Sequence, residues 1–510
     1  MDIGSTLARH ARCIPDKIAI YFRDKSYSYD RFNCEVNRIA NGLLYEGVKK
    51  GDKVALMMKN SDMYIFVFYA ILKVGAVAVP VNFRLTSKEI GYILDDSDSS
   101  MVFFDEEYDE TIYKATEGNK KITAAISVGI RTAPGQKRLD EIITDNESNP
   151  SVQVDEWDDA EILYTSGTTG LPKGVLLDHH RVLHVAFRQI IMYKLQSGDN
   201  LLHLAPLFHS GQLNVFMIPS TFMGCTQVVH ETFEPVEVLK AIDKYKISLF
   251  FGVPTMYNFL LQVSEREKND LTSVTRCCYG AAPMPVALID KAIDMFGTDQ
   301  FYNLCGLTEG GPGGIALLPS DHKEKLGTSG KAHQNDEALV VNDFGEQIKP
   351  GEIGELILRC ESIMKEYYKK PEETFKTLRN GWLYTGDLAT IDEDGYITLV
   401  DRKKDMIISG GENVYSTEVE HALYKHPSIL EAAVIGVPDE VWGEKVAAVV
   451  VPKNSTKLDH EELISFLRSE LAGYKVPRLI FEYKEIPRNA SGKVLKYKLR
   501  DEIKTITFKE

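Results

Sequence analysis

Residues 164–175, Tyr-Thr-Ser-Gly-Thr-Thr-Gly-Leu-Pro-Lys-Gly-Val, combine the groups that can hold a polyphosphate. The glycines let the backbone approach a ligand closely and turn its amides inward, the hydroxyls add donors, and Lys173 supplies a mobile cation. The segment is not a Walker A motif, because Lys173 follows Leu-Pro and a strand-like stretch precedes any helix. A polar hairpin turn is the competing interpretation, although a turn needs only two or three such residues. The predicted ligands are Thr165, Ser166, Gly167, Thr168, Thr169, Gly170 and Lys173.

Six further segments with chemically useful side chains follow in a fixed order. They are Phe-His-Ser-Gly at 208–211, Gly-Ala-Ala-Pro-Met at 280–284, Leu-Thr-Glu at 307–309, Tyr-Thr-Gly-Asp at 384–387, Asp-Arg-Lys-Lys-Asp-Met-Ile-Ile-Ser-Gly-Gly-Glu-Asn-Val-Tyr at 401–415, and Pro-Arg-Asn-Ala-Ser-Gly-Lys-Val-Leu-Lys at 487–496. Together with residues 165–174, this set resembles the adenylate-forming superfamily, which contains acyl-CoA synthetases, adenylation domains of peptide synthetases and beetle luciferases. The resemblance covers nearly the whole chain.

The resemblance implies that ATP activates a carboxylate. Because a carboxylate is a poor acyl donor, it must first attack the α-phosphate, and cations and aligned amides must bring the negative groups together. By resemblance, Lys493 stabilises the transferring charge and Thr308 contacts the nucleotide phosphate. Glu309 and Thr168 correspond to the Mg²⁺ site, where a hard carboxylate oxygen suits a cation that bridges phosphate oxygens.

The remaining nucleotide contacts are also implied by the resemblance. Gly280, Ala281 and Ala282 would form a shelf for adenine. Asp387 would accept hydrogen bonds from both ribose hydroxyls, and Arg402 would contact ribose or phosphate. For Asp387 and Arg402, the competing interpretation is a surface turn or an ion pair.

The sequence departs from the family pattern at Leu304 and Cys305, where many members have glycine and tyrosine. A cysteine offers a polarizable contact but no ring to stack on adenine. Adenine would then be held mainly by the shelf and by backbone groups, and Cys305 is assigned to the cofactor site on that basis. The equally weighted alternative makes Cys305 a small core residue.

The acid-binding side lacks a counter-charge for an amino group. Residues 208–210 contain no acid, so a buried substrate ammonium would have no partner, and an α-amino acid is disfavoured. His209 resembles an aromatic gate of the acyl tunnel, while Gly211, Gly310 and Ala281 leave room nearby. Apolar residues that could line the site are Val215, Phe216, Phe251, Val253 and Leu304. By resemblance, a medium- or long-chain fatty acyl-CoA ligase is implied, and an aryl acid ligase, which shares most of the same residues, remains an alternative.

A second half-reaction is implied for the carboxyl-terminal residues. In the family, the small domain rotates after adenylation about a hinge that corresponds to Lys404. The glycines Gly410 and Gly411, with Glu412, would admit the pantetheine arm of coenzyme A. Trp442 could contact the CoA nucleotide, and a partly buried packing residue is the equally weighted alternative.

The segments that must position these residues alternate between strand and helix. Short apolar runs, such as 248–251 and 274–279, alternate with amphipathic stretches such as 235–245 and 286–296, which predicts doubly wound parallel sheets. The pair 388–392 and 396–400, joined by Glu-Asp-Gly, predicts an antiparallel β region. We therefore expect an α/β fold with a large amino-terminal domain over residues 1–401, binding AMP and the acyl group, and a small mobile α+β domain over 402–510.

Composition limits the partners. The 510 residues include 74 acidic and 59 basic side chains, and the formal net charge of -15 argues against a nucleic-acid partner. Seven scattered cysteines and an amino terminus without a secretory layout indicate a reduced, cytoplasmic protein. No apolar stretch predicts a transmembrane segment, so at most peripheral membrane contact is expected, and assembly as a homodimer is left open.

The predicted activity is that of an ATP-dependent, magnesium-requiring acid:CoA ligase. Its substrates would be a small-molecule carboxylic acid, ATP and coenzyme A, and its products acyl-CoA, AMP and pyrophosphate. The alternatives are an aryl or different carboxylic acid as substrate, delivery to an acyl carrier protein, a luciferase-like oxygenation, or a nucleotide-binding protein without catalysis. Only the altered Leu304 and Cys305 favour the last of these.

Overall fold

The computed structural model describes residues 1–129, 133–165, 171–264, 266–282, 284–439, 441–453, 458–488 and 494–507. The chain divides into two compact units, residues 1–338 with 358–383, and residues 339–357 with 384–510. The functional division at residues 401 and 402 stays a prediction. Within the described ranges, every helix is too short or too polar to cross a membrane.

The first unit contains a nine-stranded sheet that is parallel in its centre. Its strands, in spatial order, are Lys331–Ala332, Gly313–Leu317, Phe301–Leu307, Arg276–Gly280, Leu249–Gly252, Asn200–His203, Thr226–Val229, Ile18–Phe22 and Lys25–Ser28. The first two and the last pair antiparallel with their neighbours. The carboxyl ends of the parallel strands Arg276–Gly280 and Phe301–Leu307 lie side by side, with Gly280 opposite Leu304.

An eight-stranded sheet forms the other layer of this unit. Its strands, in spatial order, are Glu366–Tyr367, Lys173–Asp178, Asp159–Thr165, Val77–Pro80, Lys53–Met57, Ser99–Phe104, Ala124–Ser127 and Lys137–Arg138. Alternate residues of one strand enter different hydrophobic clusters: Val54 and Leu56 pack in one, Ala55 and Met57 in another. Both faces of the sheet are therefore covered, as expected when helices connect parallel strands.

Helices connect and cover these sheets. The α-helices are Ile3–Cys13, Tyr29–Tyr45, Asp62–Lys73, Ser87–Asp96, Asp109–Thr116, Leu139–Ile142, His179–Tyr193, Ser210–Gln212, Ile218–Met223, Pro235–Tyr245, Pro254–Leu261, Val286–Phe296, His322–Lys325 and Pro371–Thr377. Short 3₁₀ turns occur at Glu106–Tyr108, Arg266–Lys268, Thr308–Gly310 and Pro319–Asp321, and Leu213–Met217 is one turn of π-helix.

Two groups of strands form the sheets of the carboxyl-terminal part, in which Gly443–Pro452 pairs antiparallel with Ile429–Asp439 and parallel with Leu479–Glu482. One group contains Glu337–Val341, Gly354–Arg359, Leu378–Arg379, Trp382–Ile391 and Ile397–Arg402, and the other contains Glu412–Val414, Ile407–Ser409, Gly443–Pro452, Ile429–Asp439 and Leu479–Glu482. The helices are Ser416–Lys425, His460–Glu470 and Lys496–Thr507. Val434 and Ala448 pack with the first two helices, whereas Ile435 and Val449 pack with the third, so the sheet is buried on both faces.

The predicted fold class is confirmed. The amphipathic stretches at 235–245 and 286–296 are helices with those limits, and the apolar runs at 248–251 and 274–279 overlap the parallel strands Leu249–Gly252 and Arg276–Gly280. The pair of strands around Glu-Asp-Gly is antiparallel as expected, although the first strand, Trp382–Ile391, begins earlier and the second, Ile397–Arg402, ends later than predicted.

Candidate active site

Glu309 contacts two hydroxyl groups of the first unit, those of Tyr367 and Thr165. The strand Phe301–Leu307 ends just before it, and a single 3₁₀ turn, Thr308–Gly310, carries its side chain. The hydroxyl of Tyr367 donates a hydrogen bond of 2.7 Å to Glu309 Oε1, and the hydroxyl of Thr165 approaches the same oxygen at 3.5 Å. Two predicted site residues, Thr165 and Glu309, are therefore brought together across the two sheets.

Lys173 lies against the ring of the same tyrosine. Its Nζ is 4.1 Å from the Tyr367 ring centroid and 3.4 Å from Glu373 Oε2, and its side chain is mostly buried. Burial, together with the adjacent negative charge of Glu309, raises the pKa of Tyr367, so its hydroxyl remains a proton donor at neutral pH. The predicted phosphate-binding cation is thus linked to the predicted metal ligand through Tyr367.

Thr308 contacts the segment predicted to border the acid site. Its Oγ1 lies 3.1 Å from Ser210 Oγ, which is buried. His209 is exposed and caps the next turn, because its Nδ1 accepts a hydrogen bond of 3.1 Å from the backbone N–H of Gly211. The structure therefore joins residues 208–211 to residues 307–309, and Ser210 makes the contact.

The predicted adenine shelf is held at short range to the next strand. A Cβ placed on Gly280 would lie 2.3 Å from the carbonyl oxygen of Leu304, so only glycine fits there. Ala281 has φ of +65°, a left-handed conformation that is strained for a residue with a side chain, and Ala281 and Ala282 are both exposed. Cys305 is half-buried on the neighbouring strand, unlike the fully buried Cys277 and Cys278.

A buried ion pair supports the glycine-rich segment after Glu309. Arg188 Nη1 lies 2.7 Å from Asp336 Oδ2 and donates to Ser362 Oγ at 3.2 Å, while its Nη2 approaches the Pro312 carbonyl oxygen at 3.4 Å. Ser362 in turn donates a bond of 2.7 Å to the carbonyl oxygen of Gly310. This network fixes the backbone at Gly310, which the sequence assigned to the acyl site.

Apolar side chains predicted to line the acid site form one cluster. Val215 and Phe216 are buried in it, and Phe251 and Leu304 are partly buried against it. The ring centroids of Phe216 and Phe251 are 5.5 Å apart. Four of the five predicted apolar residues are therefore contiguous, and Val253 is not part of the cluster.

Glu161 is a buried carboxyl group on the strand that leads into the phosphate loop. Asn214 Nδ2 donates to its Oε1 at 2.5 Å, whereas Oε2 is buried without a hydrogen-bond partner among the described residues. Burial raises the pKa of Glu161 to about 7, and the bond from Asn214 only partly opposes this effect. The group can therefore change its protonation state near neutral pH.

In the second unit, Asp387 and Arg402 are paired. They stand opposite each other in the antiparallel strands, and Arg402 Nε lies 3.1 Å from Asp387 Oδ1. Both side chains remain partly exposed. The structure thus contains an ion pair, as the competing interpretation expects. The two side chains are also accessible to a ligand, because both remain partly exposed.

The predicted hinge lies between two anchored aspartates. Asp401 is buried and accepts hydrogen bonds from the backbone and hydroxyl of Ser416, at 2.5 Å and 2.8 Å. Asp405 accepts a bond of 2.7 Å from Arg500. Lys404 itself is exposed between them. Its role as a hinge stays a prediction.

Two of the residues assigned to coenzyme A, Gly410 and Trp442, lie against each other. Gly410 has φ of +62°, and a Cβ there would lie 2.8 Å from the Trp442 ring. Gly411 has φ of +86° with open space beside it, and Glu412 is exposed. The Arg478 guanidinium lies 4.0 Å from the Trp442 ring centroid. Trp442 therefore packs on Gly410 and Arg478 while 37% of its surface remains exposed, so both interpretations of it stay open.

Other predicted residues lie outside the described ranges. They are Ser166, Gly167, Thr168, Thr169, Gly170 and Lys493. Conversely, sequence reasoning missed Tyr367, Ser210 and Arg188. Tyr367 and Ser210 carry no individual signal, because their contacts depend on strand register and on distant segments. Arg188 carries a weak one, since a charged residue lies among the mostly apolar buried residues of the helix His179–Tyr193.

Comparison with known proteins adds family matches over most of the chain. A model described as AMP-binding enzyme matches residues 7–368, and one described as AMP-binding enzyme C-terminal domain matches residues 418–493. A feruloyl-CoA synthase from Amycolatopsis sp is 37% identical over 500 residues, with 98% of each chain covered. A long-chain-fatty-acid–CoA ligase from Mycobacterium tuberculosis is 36% identical over 508 residues, again with 98% of each covered. The crystal structure of an anthranilate CoA ligase in complex with anthranoyl-AMP has a TM-score of 0.90 at 28% identity, covering 99% of this chain and 98% of that one.

Proposed function

The chain belongs to the AMP-binding enzyme family and is an AMP-forming acid:CoA ligase of the adenylate-forming superfamily, and from that premise we propose that its acid is a medium- to long-chain fatty acid. ATP and coenzyme A are the other substrates. The enzyme would act in fatty acid metabolism, in the cytoplasm. None of its seven cysteines forms a disulfide, which is compatible with that location.

One observation carries the proposal for the acid. The cluster around Val215, Phe216, Phe251 and Leu304 is apolar, and it lies on elements adjacent to the Gly280–Leu304 contact. Residues 208–210, which border the predicted acid site, provide no carboxylate to balance a substrate ammonium. An uncharged hydrocarbon chain therefore suits these surroundings better than an amino acid.

An aryl acid is the second candidate, and a specific observation favours it. The feruloyl-CoA synthase is as similar to this chain as the long-chain-fatty-acid–CoA ligase is. The Phe216 and Phe251 rings could also pack against a planar acid.

In the first half-reaction, the acid carboxylate attacks the α-phosphate of ATP and pyrophosphate leaves. Lys173 and the amides of the phosphate loop would bind the phosphates, and Thr308 would donate to one of them. Lys493 would stabilise the charge that develops on the transferring group, because a fixed cation acts most strongly where charge forms during reaction. Asp387 would accept hydrogen bonds from the ribose hydroxyls.

The residues around Glu309 fit a magnesium ion. The hydroxyls of Tyr367 and Thr165 both reach Oε1, and within the described part of the chain Oε2 accepts no hydrogen bond. A carboxylate oxygen is a ligand that Mg²⁺ prefers. Glu309, with Thr168, would hold the ion, which would supply neutralising charge for the phosphates.

In the second half-reaction, the thiol of coenzyme A attacks the acyl-adenylate and AMP leaves. We assign this step to the residues beyond Lys404, in the domain predicted for 402–510. Gly411 has open space where a side chain would be, so a thin pantetheine arm could pass it. Trp442 would contact the CoA nucleotide.

A pyrophosphate-release assay tests the proposal. The purified enzyme is supplied with ATP, Mg²⁺ and fatty acids of graded length, aryl acids or amino acids, with and without coenzyme A. Fastest release with medium- or long-chain acids, and acyl-CoA formed only when coenzyme A is present, would support it. Preference for aryl acids would select the second candidate, and no acid-dependent release would contradict catalysis.

A further inference from the structure

Tyr367 touches both ionic groups of the predicted phosphate site, yet the sequence predicted no role for it. It lies in the two-residue strand Glu366–Tyr367, whose partner strand is Lys173–Asp178. Its side chain is buried, with 4% of the residue exposed. The hydroxyl is 2.7 Å from Glu309 Oε1, and one ring face lies 4.1 Å from Lys173 Nζ.

Strand register explains why both contacts fall on one residue. Tyr367 pairs with Val175, so Lys173, two residues away, projects from the same face as a diagonal neighbour. The far end of the tyrosine then reaches Glu309, in the 3₁₀ turn that follows a strand of the other sheet. The sheet fixes the ring, and the ring fixes the separation between the lysine and the carboxylate.

We propose that Tyr367 is a positioning residue for the nucleotide. Its hydroxyl orients Glu309, and its ring keeps Lys173 in place until a phosphate group of the nucleotide binds the lysine. This inference rests on the proposed function. The hydroxyl, with that of Thr165, anchors Oε1 and so directs Oε2 toward a cation. The aromatic face attracts an ammonium less strongly than a phosphate does, so it retains Lys173 nearby without competing with the ligand.

Tyr368 provides a matched control. Its hydroxyl donates to a carboxylate, Asp98 Oδ2, at 2.9 Å, and two lysines, Lys369 and Lys53, lie 5.2 Å and 5.5 Å from its ring centroid. It therefore makes the same kinds of contact as Tyr367, one residue along the chain, but to a different carboxylate. Removing its hydroxyl changes the same chemistry without touching Glu309.

The first experiment measures binding rather than turnover. Calorimetry with a non-hydrolysable ATP analogue is performed with Mg²⁺ and with EDTA on the wild type, Tyr367→Phe and Tyr368→Phe. In Tyr367→Phe, we expect about tenfold weaker binding with Mg²⁺, as for the loss of a hydrogen bond to a charged group, and little change with EDTA. Tyr368→Phe should match the wild type under both conditions.

The second experiment isolates the ring. Tyr367→Leu removes both hydroxyl and ring, so it should bind the analogue more weakly than Tyr367→Phe in EDTA. When Lys173 is also replaced by Ala, the Tyr367→Leu and Tyr367→Phe proteins should bind the analogue equally well, because the ring then has no lysine to contact. Thermal unfolding of each variant reports whether the fold is retained.

The outcomes separate this inference from the proposed function. If the wild type binds the analogue and releases pyrophosphate but Tyr367→Phe keeps the full magnesium effect, the role of the hydroxyl is overturned and the function stands. If Tyr367→Leu still binds the analogue more weakly than Tyr367→Phe when Lys173 is replaced by Ala, the role of the ring is overturned. A wild type that binds no analogue and releases no pyrophosphate removes the proposed function, and this inference with it.

Discussion

Arg402 and Asp387 face each other across two antiparallel strands, with Arg402 Nε 3.1 Å from Asp387 Oδ1. The arginine fixes the direction of a carboxylate that is only partly buried. A carboxylate oriented in this way is suited to accept two hydrogen bonds from a diol, since each oxygen can serve one hydroxyl.

We expect Asp387→Asn to raise the KM for ATP by roughly 10- to 100-fold, because it removes a charged acceptor from the ribose. The wild type should also discriminate against 2′-deoxy-ATP, and the variant should largely lose that discrimination. Asp343→Asn is the control, since Asp343 pairs with Lys403 at 2.8 Å and has no proposed ligand. Equal discrimination in all three proteins would contradict the assignment of Asp387.

Lys493→Ala should lower acid-dependent pyrophosphate release by about 100-fold or more, because it removes a cation from the group that gains charge in the transition state. Thermal unfolding should remain that of the wild type. Lys484→Ala, which removes an exposed lysine of the same unit, should have no effect on release. Release by Lys493→Ala at the wild-type rate would exclude the proposed mechanism.

Gly411→Leu should slow thioester formation by roughly tenfold or more and leave adenylation nearly unchanged, because a side chain would obstruct the thiol arm. The variant also forces leucine into a left-handed conformation, since Gly411 has φ of +86°. Gly351→Leu controls for that strain, as Gly351 has the same φ and open space beside it. If Gly411→Leu slowed adenylation as much as thioester formation while Gly351→Leu slowed neither, the result would argue against separate steps.

Glu161 should make the stability of the protein depend on pH. Burial raises its pKa to about 7 in the folded state, so between the unfolded pKa, near 4.5, and 7 the folded protein retains a proton that the unfolded chain has lost. The stabilising contribution is therefore present at low pH and falls by about 3 kcal/mol as pH rises through this range.

The measurement is urea unfolding of the wild type and Glu161→Gln from pH 5 to pH 8. The difference between their free energies of unfolding isolates the contribution of Glu161 from other titrating groups. The wild type should lose stability relative to Glu161→Gln as pH rises. A difference that stays constant with pH would show that the carboxyl group does not titrate in this range.

The elements with strong periodicity could be predicted from the sequence. Residues 235–245 and 286–296 are amphipathic over three turns, and both are helices with the predicted limits. The motif order also predicted that Thr165 and Glu309 belong to one site, and their side chains approach at 3.5 Å. Local pattern was sufficient for the two helices because each lies within a short segment, whereas the link between Thr165 and Glu309, which are 144 residues apart, came from the family resemblance.

Contacts between residues far apart in the sequence, which depend on how distant segments pair and pack, could not be predicted. Tyr367 reaches Glu309 only because its short strand pairs with Lys173–Asp178 in one register, and two residues carry no periodicity. The Arg188 and Asp336 pair likewise joins positions 148 residues apart. Both depend on tertiary packing, which no local pattern encodes.

The separation of the groups around Glu309 also has a consequence for how the enzyme folds. Thr165 lies 144 residues before Glu309, and Tyr367 lies 58 residues after it. Closing such long loops is entropically unfavourable until much of the chain is already ordered, so contacts of this kind form late. Recovery of nucleotide binding during refolding should therefore lag behind recovery of helical signal, and ATP should stabilise the finished protein without accelerating its early collapse.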